Sequence, residues 1–69
     1  LYRAGDVDAA ISALEQGRQI NPLSSNLLFN LAVAHLKKGN IAMGREYLKQ
    51  CLKLNPSFKQ AKDLLNQFR

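Results

Sequence analysis

A single cysteine, Cys51, in 69 residues leaves no internal disulfide and no cysteine-built metal site. The role that fits it is a buried structural thiol, and a lone thiol is compatible with a reducing compartment without establishing one. The two prolines and, of the four glycines, Gly5 and Gly39 fall where helices would stop. Polar low-complexity stretches are missing, and an apolar content of 46% fits a packed globule and argues against disorder. No apolar run approaches the roughly 18 residues of a membrane span, which speaks against membrane insertion. The amino end lacks the charged-then-apolar layout of a signal peptide; because the chain reads as starting inside a structural unit, this says little about what lies upstream. Neither a glycine-rich phosphate loop nor a metal-ligand spacing occurs, so no cofactor, metal or small-molecule substrate is expected.

Acidic residues are scarce after the first third. Residues 1 to 22 carry Arg3 and Arg18 against Asp6, Asp8 and Glu15, a net of −1; residues 23 to 69 carry eight basic residues against Glu46 and Asp63, a net of +6. Arg45, Lys49 and Lys53, spaced by four, read as the solvated stripe of an amphipathic helix. The same charges would suit an acidic surface, but no aromatic-rich sheet motif, zinc-ligand set or heptad-bearing basic region accompanies them, which argues against nucleic acid.

In chain order, Leu1 to Ala4 is too short for an element. Gly5 reads as the left-handed residue just past a helix, so these residues are expected to end a helix of an earlier unit. Asp6 is placed to cap a new helix whose apolar positions, Val7, Ala10, Ile11, Leu14 and Gly17, recur at three and four to about Ile20. Asn21-Pro22 stops it, since proline cannot donate the next hydrogen bond and pushes its predecessor out of the helical region. A second helix is expected from Ser25 to Lys38, capped by Ser24 or Ser25 and ended by Gly39. Its apolar residues wrap most of its circumference, so it must touch neighbours on more than one side. Asn40 is expected to cap a third helix, Ile41 to Leu54, with an inner line of Ile41, Gly44, Tyr47 or Leu48, Cys51 and Leu54. Ser57-Phe58-Lys59-Gln60 matches a capping box opening a fourth helix to about Phe68.

The chain repeats itself. Gly5 and Gly39, Leu14 and Leu48, Gln16 and Gln50, Asn21 and Asn55, Pro22 and Pro56, and Leu31 and Leu65 are all 34 residues apart. A helical hairpin recurring at this period gives an all-α chain of antiparallel hairpins. Residues 1–22 form the second half of one unit, 23–56 a complete unit, and 57–69 a following or capping helix.

On these residues the sequence resembles the tetratricopeptide repeat family. Leu28 stands for the first large residue of the family pattern, Leu31-Ala32 for its Leu-Gly, His35 for its aromatic, Gly44 and Leu48 for the Ala and large apolar pair, and Pro56 for the proline. Ala10, Leu14 and Pro22 occupy the matching places in the half unit before. Leu28 departs from the usual tryptophan and His35 from the usual tyrosine. The resemblance implies hairpins stacked as a right-handed α-solenoid, with first helices lining a concave groove. That groove would carry Asn26, Phe29, Asn30, Val33, Leu36 and Lys37, joined by Gln60, Asp63, Leu64 and Gln67. Phe29 and Val33 either anchor an apolar partner segment or pack against the adjacent unit. One sub-family grips the acidic tails of heat-shock chaperones with lysines and asparagines; Asn30 sits at one such place, but Phe29, Val33 and Leu64 put apolar groups at others.

The resemblance thus implies a module or scaffold that binds a protein or peptide in the groove. The alternative is a structural segment for assembly, forming a homo-oligomer or exchanging helices through an open face that includes Ile11 and Leu14. Catalysis is not expected: His35 has no carboxylate three or four residues away to orient it, and a Cys51–His35 pair lacks a third group and an oxyanion loop.

Overall fold

The computed structural model describes residues 4–68; of the helix end expected at Leu1 to Ala4, Leu1 to Arg3 lie outside them and Ala4 begins the first helix. Four helices follow one another: α1 (Ala4–Ile20), α2 (Ser25–Lys38), α3 (Ile41–Leu54) and α4 (Lys59–Gln67), with no strand among the described residues. The helical hairpins implied by the sequence are therefore present.

The ends of α2 follow from local chemistry. Ser24 takes an extended backbone and its Oγ accepts a hydrogen bond from the Leu27 amide at 3.2 Å, satisfying one orphan donor of the first turn. Gly39 ends the helix at φ 95°, where its own amide reaches back to Leu36 O. Asn40 then donates its backbone amide to His35 O, and this pair of bonds turns the chain into α3 within two residues. Asn40 does occupy the position before α3, but its side chain makes no capping bond and instead lies 3.4 Å from His35 Nδ1.

Two other helix starts differ from expectation. Gly5 lies inside α1 with no positive φ, so the stop that the repeat suggested does not form, and Asp6 sits in the first turn, where its charge meets the helix dipole. The Ser57 to Gln60 capping box is absent as well. Ser57 Oγ donates to Asn55 Oδ1, and Phe58 becomes the residue that enters α4, because its ring stacks on Phe29 at 5.0 Å between centroids and fixes the direction of approach.

The core gathers Leu28, Leu31 and Ala32 of α2, Tyr47, Leu48 and Cys51 of α3, and Ala61 of α4. The middle of the expected α3 inner line is buried, with Tyr47 and Leu48 both inside; its ends are not, since Ile41 and Leu54 are 38% and 42% exposed where α3 runs past the seam. Closest approach falls at Gly44, where a Cβ would lie 2.6 Å from the Leu36 side chain and 3.2 Å from Ala32 O. Ile11 and Leu14, expected to lie partly bare, are half-buried against the same core. Lys38 of α2 pairs with Asp8 of α1. Of the expected solvated stripe, Lys49 and Lys53 are exposed, Lys49 beside Glu46, whereas Arg45 is half-buried.

Candidate functional site

α2 lies between α1 on one flank and α3 on the other, and α4 approaches it across Phe58 and Leu64. This leaves one side of α2 open, with a hollow on either side of Val33. The first, about 430 Å³, is lined by Ala10, Ala13 and Leu14 of α1 with Asn30, Val33 and Ala34 of α2. The second, about 290 Å³, is lined by Val33, Leu36 and Lys37 of α2 with Leu64 and Gln67 of α4 and the adjoining Phe68. Their shared wall, half-buried Val33, forms a low ridge.

Helical spacing explains the grouping. Asn30, Val33 and Ala34, then Val33, Leu36 and Lys37, are sets at three and four that share one face of α2. On α4 the same spacing unites Leu64 and Gln67. Of the residues expected on the groove, Asn30, Val33, Leu36, Lys37, Leu64 and Gln67 line the hollows. Asn26, Gln60 and Asp63 are exposed but line neither. Phe29 is half-buried and stacked on Phe58, so it contributes to packing between units. Phe68 and the α1 residues Ala10, Ala13 and Leu14 were not identified as groove residues from sequence; their place depends on how α1 and α4 cross α2, which local spacing does not encode.

A partly buried group of polar side chains knits helices together, with Tyr47 and His35 buried and Glu15 and Arg18 half-exposed. Tyr47 of α3 donates its hydroxyl to Glu15 Oε2 of α1 at 2.9 Å, Arg18 holds the other carboxylate oxygen at 3.0 Å and lies 5.7 Å from the Tyr47 ring centre, and the His35 ring stacks on the Tyr47 ring at 5.4 Å between centroids. His35 itself is buried, its Nε2 having no hydrogen-bond partner among the described residues, so the imidazole serves here as a flat packing surface. Cys51 does not join it. The Cys51 thiol donates to Ser25 O at 3.3 Å, at the opposite end of α2. Ten residues separate Ser25 from His35 along that helix, roughly 15 Å at its rise per residue, so the Cys–His pair considered from sequence is not assembled.

Burial pushes both the Tyr47 hydroxyl and the Cys51 thiol above their ordinary ionisation ranges; for Tyr47 the Glu15 carboxylate adds to it, while Arg18 pulls slightly the other way. A raised native pKa on such an acid stabilises the fold fully below the group's ordinary range and is lost as pH climbs through that range toward the native value. Tyr47→Phe should therefore cost about 1 kcal/mol at neutral pH, from the lost hydrogen bond, and flatten the alkaline fall in stability. Urea titrations at neutral pH and near pH 10.5 check this; an alkaline loss as large in the variant as in the parent would refute it.

Among the described residues no group of three or more His, Cys, Asp or Glu side chains is placed to hold a metal ion, and no helix is long and apolar enough to cross a membrane. A family model described as tetratricopeptide repeat matches residues 1–68. Neither a curated protein nor a solved structure matches the chain.

Proposed function

Since the chain belongs to the tetratricopeptide repeat family, whose members are generally protein-interaction modules and typically non-catalytic scaffolds, we propose that its open α2 face holds a segment of a partner polypeptide. The observation that carries this reading is the pair of hollows sharing Val33, apolar-walled and each provided with one carboxamide, Asn30 in the first and Gln67 in the second. Apolar walls supply affinity through burial, and a few convergent polar groups fix orientation.

Val33→Glu is the direct test. The position is half-buried and surface-facing, and glutamate is at least as good a helix former as valine, so helical content should persist. Peptides enriched from a random phage-displayed library on the parent chain should lose at least about tenfold in affinity for the variant, a ΔΔG of about 1.4 kcal/mol. Unchanged affinity together with an intact circular dichroism spectrum would place the binding elsewhere.

A further inference from the structure

We propose that one edge of the domain, formed by the α1–α2 and α3–α4 turns, docks on the surface of an anionic lipid bilayer. Ile20, Leu23 and Leu54 enter its headgroup layer, and Lys53 and Lys59 meet its charge. α1 and α3 both end at this edge, and α2 and α4 both begin there. Pro22 and Leu23 of the first turn line a small hollow with Gln50, Lys53 and Leu54 of α3 and the buried Leu28. Ile20 stands two residues before Pro22 and matches Leu54 across the 34-residue repeat. The edge shares no residue with the two hollows beside Val33.

Ile20 and Leu23, 86% and 74% exposed, are the barest large apolar side chains among the described residues, and Leu54 is exposed beside them. Apolar surface so fully wetted gains by leaving water. These side chains stand out from the turns instead of enclosing a cleft. The hollow between Leu23 and Leu54 holds about 210 Å³, short of the ~300–1,000 Å³ of pockets that surround a ligand. A folded partner is recognised by matched shape and paired polar groups. A bilayer needs neither, because it takes protruding apolar groups into its headgroup boundary and holds them further by charge.

The charge around the edge has one sign. From Gln16 to Lys62 the one acidic residue is Glu46, and it lies beside Lys49. Lys53 lines the hollow, and Lys59 opens α4 just past the second turn. Both are exposed, and neither forms an ion pair with a described residue. Asp6 and Asp8 sit at the start of α1, toward the opposite end, with Asp8 paired to Lys38. A second copy laid edge to edge would set lysine against lysine. An anionic leaflet supplies the missing sign, and each lysine near it strengthens binding about fivefold.

The chain has no tryptophan, so Leu23→Trp places a lone fluorescent reporter on the edge. Its emission should shift to the blue on adding vesicles of equal parts phosphatidylcholine and phosphatidylserine. Met43→Trp, at an exposed site near the start of α3 and so at the other end, should not respond. In cosedimentation the parent should bind these vesicles at least about tenfold more tightly than phosphatidylcholine vesicles, and less tightly as salt rises. Ile20→Ser combined with Leu23→Ser, and separately Lys53→Gln combined with Lys59→Gln, should each weaken binding about tenfold or more. All four positions are exposed, so circular dichroism should be unchanged. Val33→Glu should leave vesicle binding as it is, which keeps this result separate from the fate of the groove.

Equal binding to both kinds of vesicle, or binding to neither, overturns the inference. So does cosedimentation without a blue shift, or one that the lysine pair abolishes and the serine pair spares, since a basic chain then merely adsorbs. A dimer in sedimentation velocity that the serine pair disperses, without vesicle binding, gives the edge to a second copy. Selected peptides that lose affinity for the serine pair, again without vesicle binding, give it to a polypeptide. Either result overturns docking on a bilayer.

Discussion

Leu31→Ala should lower stability by about 3 kcal/mol and the melting temperature by roughly 12–24 °C. Leu31 has no exposed surface, and it lies at the centre of the core with Leu28, Leu48 and Cys51, so truncation removes buried methyl groups and leaves a cavity that rigid helices cannot close. Chain size makes the loss severe. At 0.05–0.15 kcal/mol per residue, a domain of this length has only about 3–10 kcal/mol in total. Ile20→Ala is the matched control, because Ile20 is 86% exposed, and its removal should change stability by less than about 0.5 kcal/mol. Thermal melts of both variants decide the matter; a Leu31→Ala protein within 1 kcal/mol of the parent would mean that the core is not where the structure puts it.

Gly44→Leu should be comparably damaging, at about 3 kcal/mol, for the opposite reason. A Cβ at this position already meets Leu36 Cγ at 2.6 Å and the Ala32 carbonyl at 3.2 Å, and the second of these is backbone that cannot rotate away. A leucine there would force α2 and α3 apart along their whole seam. The sign of a smaller change isolates the cause. Gly44→Ala should destabilise the parent, because the gain in helix propensity, up to about 1 kcal/mol, does not cover the clash. In a Leu36→Ala background the clash with the side chain is gone, and the same substitution should become neutral or stabilising. A double-mutant cycle by urea unfolding reads this directly; additive effects would show that Leu36 is not the obstruction.

The parts of this fold legible in the sequence are those written in local chemistry. The boundaries of α2 and α3 could be read because Ser24, Gly39, Asn40 and Asn55-Pro56 act within a few residues of where they stand. Gly44 and Cys51 could be assigned to the seam because the 34-residue period sets small residues at corresponding places in both copies. Where a distant partner decided the outcome, local reading failed. The Ser57 capping box loses to a ring stack between Phe58 and Phe29, 29 residues away, and the Glu15–Tyr47 hydrogen bond joins positions 32 apart that share no motif. The groove was partly visible for the same reason. Its α2 and α4 sides follow from helical spacing, whereas the contribution of Ala10, Ala13 and Leu14 required knowing the angle at which α1 crosses α2.

The repeat also exposes a difference between α2 and α4. Leu28 and Ala32, both buried in the seam, correspond to Lys62 and Asn66, both exposed, so α4 turns water-compatible groups outward where α2 turns its core. With only Ala61 fully buried and nine residues to its length, α4 is held by less packing than any other helix described here. In terms of local opening, it is the segment whose amides should exchange with solvent soonest. Yet α4 and Phe68 supply half the wall of the second hollow. Any segment that settles there must draw part of its binding energy from holding α4 closed, so occupancy and the order of this last helix rise and fall together.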